Sequence, residues 1–471
     1  MDGSVCGAGG GTQRLVRACL GPARMADLEV GSCPLAGRGG GVLNLLVVTF
    51  SYSPALSPRA FRWTALAEAW AAEGHQVDVV CSAVRGLPTE ETLNGVCVHR
   101  VGGGLRQKLT QTASQGPTSL GQPATPAGPI IVAAQAARAL YRVAVKPFQW
   151  PDYAASWRRL AAHTAKEIVH QRGVDRIVAV SHPFSSLLAG SEVAAETSIP
   201  WLADVGDPFS FDDQVPLNNR ALFAARNRKA EREVLGRAKA VAVTNDLVRQ
   251  EYARLFPELA EKLAVIGPLA SDLAASENAE PLFSEEEGKC KLLFTGTVYR
   301  DIRSLNPVLA VFKRLVASTS RCEYEIHFAG RLQGCSRCLE PVQDWIGTKV
   351  LVHGLVSRER IAATIPGCSA LVNIGNSTPY QLPSKVAEYA VSGKPILNFH
   401  TLDDDSSKCF LKPHPGVCNV LCAEGFSPDQ RASEIEAFFA AMAQSPPRPC
   451  EEWLDTFRLP HLKARYEELL R

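Results

Sequence analysis

Lys385 and Glu388 carry the clearest chemical signal in the chain. They sit three residues apart in QLPSKVAEYAVSGKPIL, Gln381 to Leu397, a stretch that predicts a loop, a helix and then a short buried strand. Residues at that spacing share one helix face. Pro383 and Ser384 read as the helix start, with the Ser384 hydroxyl capping its first N–H groups, and Gly393 as its stop. A helix opening presents unpaired N–H donors and a partial positive charge, which suits a diphosphate. Glu388, about one turn deeper, could accept hydrogen bonds from a pair of ribose hydroxyls. Phosphate-holding backbone beside a ribose-holding acid is a nucleotide-binding arrangement. The competing reading is an ordinary amphipathic helix between two strands.

Further groups sit where predicted strands end. Gly296 follows the apolar run KLLFTGTV and would let a ligand approach the backbone closely. Arg300, Arg303 and Arg331 are candidates for clamping phosphate, because a guanidinium fork fits its oxygens, as does the point charge of Lys385. Asn376, Ser377 and Gln381 could meet sugar hydroxyls. In the first half of the chain, His182, Asp204 and Asp207 each follow or end a strand. A carboxylate there could orient an acceptor hydroxyl or take its proton. Arg59 and Arg62 open the first helix and could receive an anionic acceptor such as a lipid diphosphate; the alternative is surface salt bridges.

These residues need a scaffold with strand ends facing a crevice, and the hydropathy pattern supplies one. Leu43–Phe50, Gln76–Cys81, Arg176–Val180, Trp201–Val205 and Ala240–Thr244 are short apolar runs separated by helical patterns such as Pro58–Gly74. Strands alternating with helices predict a doubly wound α/β domain over 41–268. The polar, acidic stretch 269–288 reads as a linker. A second α/β domain over 289–455 follows, with strands beginning at Lys291 and at Tyr324–Ala329, Val350–His353, Ala370–Ile374 and Ile396–Phe399. Residues 456–471 form a final helix, Leu459–Leu470. Residues 1–40, rich in glycine, read as a disordered extension.

The chain has 471 residues, 46% of them hydrophobic, enough for two or three cores. Its 50 basic and 48 acidic residues nearly cancel, which argues against a dedicated nucleic-acid binder. No run reaches membrane-spanning length. The 14 cysteines are scattered, so reduced thiols and a cytoplasmic location are expected. Cys335 and Cys338 form a lone C-x-x-C, short of the four ligands of a structural zinc site. Arg138, Arg142 and Lys146 recur every fourth residue in Ile130–Phe148, either a helix at the inner face of an anionic membrane or a solvated basic edge. Gly102–Gly128 reads as a mobile loop.

Taken in order, these motifs resemble the GT-B glycosyltransferases of the large retaining group often called group 1 or family 4. Ser57–Val80, PDYAASW (Pro151–Trp157), SHPFSS (Ser181–Ser186) and ADVGDPF (Ala203–Phe209) resemble the first-domain loops of members that build bacterial surface polysaccharides. FTGTVYRDIRS (Phe294–Ser304), HFAGR (His327–Arg331) and LPSKVAEYAVSGKPI resemble the donor-binding signatures. The resemblance implies two Rossmann-like domains facing a cleft and a nucleotide-sugar donor on the second. It also implies a saccharide or lipid-linked saccharide acceptor on the first, with no obligatory metal or other cofactor. Relatives often carry two glutamates eight positions apart. The second matches Glu388, whereas the first falls at Tyr380, which leaves sugar recognition open. A nucleotide-sugar epimerase on the same fold and a non-catalytic sugar-nucleotide binder are the alternatives.

Overall fold

The computed structural model describes residues 41–102, 144, 146–212, 214, 216–270, 279–299, 302–318, 322–333, 336–445 and 448–471. The 1–40 extension, nearly all of the Gly102–Gly128 loop, Arg138, Arg142, Arg300 and Cys335 lie outside the described residues.

The first sheet is built from β1 (Asn44–Thr49), β2 (Gln76–Ser82), β3 (Glu90–Leu93), β4 (Val96–Val101), β5 (Arg176–Val180), β6 (Trp201–Val205), β7 (Ala240–Val243) and β8 (Leu263–Val265). Its spatial order is β3-β4-β2-β1-β5-β6-β7-β8, and only β3 runs antiparallel. The β3–β4 hairpin turns at Asn94 and Gly95, both at positive φ, the geometry an Asn-Gly turn favours. Helices α1 (Pro58–Ala72), α2 (Ala155–Arg172), α3 (Phe184–Thr197), α4 (Arg220–Arg237) and α5 (Asp246–Leu255) cover the two faces. α1 starts where expected: the Ser57 hydroxyl accepts from Ala60 N, and Pro58 takes the first helical position, where a missing N–H costs nothing.

The second sheet is wholly parallel. It contains β9 (Lys289–Thr295), β11 (Glu323–Ala329), β13 (Val350–Gly354), β14 (Ala370–Ile374), β15 (Ile396–His400) and β16 (Val417–Leu421), in the order β13-β11-β9-β14-β15-β16. A short parallel pair, β10 (Val298–Tyr299) and β12 (Leu332–Gln333), lies beyond the ends of β9 and β11. Its helices are α6 (Asn306–Ala317), α7 (Arg358–Thr364), α8 (Lys385–Val391), α9 (Ser406–Leu411), α10 (Pro428–Gln444) and α11 (Glu451–Asp455).

Both sheets are doubly wound, with the chain reversing direction of growth between β1 and β5 in one and between β9 and β14 in the other. Ligands of open α/β sheets bind outside the carboxyl ends of strands at such switch points. Each sheet is covered on both faces by an apolar cluster. The final helix, α12 (Leu459–Leu470), returns to the first domain. Its Leu462, Tyr466 and Leu470 are buried beside Trp63 and Trp70 of α1, with the Tyr466 ring edge-on to Trp63 at 5.1 Å.

Candidate functional site

The second-domain wall of the crevice forms at the ends of β9 and β14. Gly296 follows β9 at φ +127°, and its N–H donates to Ala329 O at 3.0 Å. Gly330 crosses so close that a Cβ there would lie 1.7 Å from Gly296 O, so the crossing requires glycine at 330, while Gly296 is favoured by its positive φ. A Cβ on Gly296 itself would meet nothing within 4 Å, so the space above it is open. Arg303 donates through Nε to Asn376 Oδ1 at 2.7 Å and through Nη1 to Thr297 O at 3.2 Å. Asn376 in turn donates to Gln381 O at 2.7 Å, so the guanidinium is locked to the loop after β14. The Arg303 wall also lines a cavity of about 130 Å³ with Gly375, Ser377 and His400. Tyr389 ties α8 to β9: its hydroxyl accepts from Thr295 N at 2.8 Å, and burial pushes its pKa up to about 12.

Lys385 and Glu388 share a face as the spacing predicts, with Lys385 Nζ 2.6 Å from Glu388 Oε2. The other carboxylate oxygen is taken by Arg358 Nη2 at 3.0 Å, a partner the sequence did not disclose. Glu388 is buried. The Ser384 cap is corrected: Ser384 already has helical angles (φ −60°, ψ −25°), and its side chain makes no capping bond. A cap must be extended to aim its oxygen back at the helix. Here the turn starts one residue sooner, with Val386 N bonded to Pro383 O, which removes one of the free donors expected at the opening. Arg331 is half-buried at the end of β11, and its Nε has no hydrogen-bond partner among the described residues.

The first-domain wall forms at the ends of β5 and β6. The Arg59 guanidinium lies over Gly206, whose Cβ would fall 0.7 Å from Arg59 Nη2, and only glycine leaves room for it. Asp207 and His182 stand within electrostatic reach of each other there. Burial lowers the His182 pKa, nearby Arg59 adds to that, and Asp207 and Asp152 oppose it, so the ring is neutral at neutral pH. Asp152 was not singled out by sequence. It is buried and accepts from Ala154 N at 2.8 Å, Ser185 N at 2.8 Å and Ser185 Oγ at 2.7 Å. Burial raises its pKa, and the Ser185 bonds and His182 pull it down. It fixes the loop before α2 against the start of α3, beside His182. Glu231 of α4 does the same for the loop after β6, accepting from Phe209 N at 2.8 Å and Ser210 N at 3.0 Å.

Two first-domain expectations are corrected. Asp204 is buried and accepts from Trp63 Nε1 at 2.7 Å. Strand residues alternate faces, and Asp204 follows Leu202 into the α1–α12 layer, while Ala203 and Val205 face the other way. It braces the core and does not reach the crevice. Arg62 is buried in that layer too, donating to Ile266 O at 3.3 Å with its guanidinium 5.3 Å from the Tyr466 ring. Tyr380 crosses to the first domain: its ring meets Phe211 edge-on at 5.0 Å, and its carbonyl accepts from Asn245 Nδ2 at 3.2 Å.

The crevice thus sets a cationic wall holding one buried acid opposite a wall carrying a neutral imidazole, a carboxylate and an arginine. The first wall can bind an anion beside a diol. The second can orient a hydroxyl.

Residues 60–268 match a family described as a glycosyl transferase 4-like domain. No curated protein matches the chain. Among solved structures, the chain is similar to a sucrose-phosphate synthase from Thermosynechococcus elongatus (15% identity, TM-score 0.56, covering 91% of this chain and 95% of that one). It is also similar to Anabaena HepE in complex with UDP (13% identity, TM-score 0.54, covering 91% and 99%). A third is an E. coli protein named for trehalose-6-phosphate, bound with UDP-2-fluoro glucose (9% identity, TM-score 0.58, covering 91% and 99%). At these identities the likeness shows the fold, and that fold is GT-B.

Proposed function

With a glycosyl transferase 4-like domain at residues 60–268 and a GT-B fold throughout, we propose that the protein is a glycosyltransferase that moves a sugar from a nucleotide-sugar to a hydroxyl acceptor. The observation that carries this reading is the cluster of Lys385 and Arg358 on the buried Glu388, with Arg303 fixed to Asn376 on the loop after β14 that leads into the same helix.

Glycosyl transfer expels a nucleoside diphosphate, so negative charge grows on the leaving phosphates. Cations fixed beforehand stabilise that charge more in the transition state than in the ground state. Arg303 and Lys385, with Arg331, supply them in our reading, and Arg300, outside the described residues, is a further candidate by sequence. The backbone at Gly296 and at the Ser384 turn lets the phosphates come close, Asn376 fixes Arg303, and Glu388 takes the ribose. Arg59, Asp207 and His182 face the acceptor: Arg59 attracts an anionic one, Asp207 orients its hydroxyl, and neutral His182 donates or accepts a hydrogen bond. Retention of configuration and independence from metal follow the family resemblance. That resemblance also points to cell-envelope or extracellular polysaccharide assembly at the cytoplasmic face of a membrane. No helix among the described residues is long and apolar enough to cross one. Exposed Phe148 and Leu222, with exposed Arg226, Arg228 and Lys229, support peripheral contact.

The test is a thermal-shift screen with UDP-, GDP- and ADP-sugars, followed by mass spectrometry of reactions containing saccharide and polyprenyl-linked acceptors. A ligand at 100 times its Kd adds about 2.7 kcal/mol of stability, a shift of several degrees. One sugar nucleotide should stand out and be consumed only with acceptor. Isomerisation of the donor without acceptor would make the protein an epimerase, and binding without turnover would make it a non-catalytic sugar-nucleotide binder.

A further inference from the structure

Arg358 opens α7, and its side chain spans the crevice. Its guanidinium carbon lies 4.8 Å from the centre of the Phe61 ring, on α1 of the first domain. Its Nη2 lies 3.0 Å from Glu388 Oε1, on α8 of the second. Lys385 holds the remaining oxygen at 2.6 Å, and the Glu388 side chain is only 9% exposed. A carboxylate whose two oxygens are both engaged by cations has little room for a diol. For ribose to chelate Glu388, one cation must leave. Lys385 sits on the same short helix as Glu388, one turn away. Arg358 comes from another element, and its second support is a ring whose attraction does not depend on Glu388.

We infer that Arg358 is an exchangeable donor-binding residue: the ribose of the donor displaces it from Glu388, and its guanidinium, still over Phe61, turns to the donor's diphosphate. This rests on reading Glu388 as the nucleotide-binding acid. The exchange keeps every charge paired. Glu388 trades a cation for two hydroxyl donors while remaining beside Lys385, and Arg358 trades a carboxylate for phosphate oxygens that suit its fork equally well. A nucleoside without phosphates must displace Arg358 and leave it without an anion. Arg358 therefore opposes nucleosides and favours diphosphates.

The experiment is isothermal titration of the wild type, Arg358→Ala, Arg358→Lys and Phe61→Leu with UDP, GDP, uridine and guanosine, with circular dichroism to confirm that each variant folds. For the diphosphate that the wild type binds, Arg358→Ala should weaken binding about 10- to 100-fold, the worth of a charge-assisted pair. The matching nucleoside should bind as well as before or better. Arg358→Lys should recover part of the diphosphate affinity, and Phe61→Leu should lose about 3- to 10-fold for the diphosphate alone. Equal losses for nucleoside and diphosphate would overturn the inference by making Arg358 a fixed support of Glu388. Unchanged diphosphate affinity would overturn it as well. A wild type that binds none of the four probes would instead remove the nucleotide reading on which the inference stands.

Discussion

Glu231 is the most informative residue to perturb away from the ligands themselves. Its carboxylate is buried under α4 and accepts two backbone N–H groups, from Phe209 at 2.8 Å and Ser210 at 3.0 Å, together with the Tyr252 hydroxyl. Those bonds fold back the loop after β6, which carries Gly206 under Arg59 and Asp207 beside His182. The loop's Phe209 also stacks flat on Phe184 at 4.0 Å. Glu231→Ala leaves three buried donors unpaired. At about 1–3 kcal/mol for each orphaned group, offset by relief of the cost of burying the carboxylate, the net loss should be about 3–5 kcal/mol. Glu231→Gln keeps one good acceptor and should lose about 1–3 kcal/mol. Burial raises the Glu231 pKa, so the folded state holds its proton more tightly than the unfolded chain does. Its contribution therefore favours folding at acid pH and is lost as pH rises through the folded pKa, and neither variant should show that slope. Urea unfolding followed by tryptophan fluorescence at several pH values measures both effects. A loss below about 0.5 kcal/mol for Glu231→Ala would refute the claim that this acid organises the loop.

Truncation after Arg458 removes α12. Leu462, Tyr466 and Leu470 are each worth about 2 kcal/mol of burial, a large share of a typical domain's 5–15 kcal/mol, so the first domain should unfold or lose most of its urea midpoint. An unchanged midpoint would show that α12 is an appendage. His327 is buried against the Phe283 ring at 4.0 Å, with His353 Nε2 at 3.0 Å from its Nδ1 and Glu325 Oε2 at 3.3 Å from its Nε2. Burial is the main cause that lowers its pKa to about 4. The unfolded chain, with an ordinary value near 6.5, takes up the proton first, so stability is full above about pH 6.5 and falls as pH drops towards 4. The loss should be on the order of 2–3 kcal/mol by pH 4, and His327→Gln should flatten the profile. Identical profiles for the two proteins would place the acid sensitivity elsewhere.

Much of the scaffold was legible because parallel strands covered on both faces must be apolar throughout. Arg176–Val180, Trp201–Val205 and Ala370–Ile374 fall where the runs predict. The same uniformity hid which face each side chain takes. In WLADV nothing local says whether Asp204 points to the crevice or to α1, and Trp63, the partner that settles it, lies 141 positions away. Lys385 and Glu388 were legible because helix spacing is local. Arg358 was not, because its pairing with Glu388 and its place over Phe61 depend on how two domains meet. Asp152 shows the same limit: two of its three bonds come from Ser185, 33 positions on. The β3–β4 hairpin does leave a local mark, the Asn94-Gly95 pair between Leu93 and Val96.

The central claim is that a nucleoside diphosphate occupies the crevice at the ends of β9 and β14. A crystal structure of the protein soaked with the sugar nucleotide that most raises its melting temperature tests this directly. The account predicts phosphate oxygens within hydrogen-bond distance of Arg303 and Lys385 and a ribose on Glu388. Density for the nucleotide anywhere else, with Glu388 still closed between Lys385 and Arg358, would contradict it.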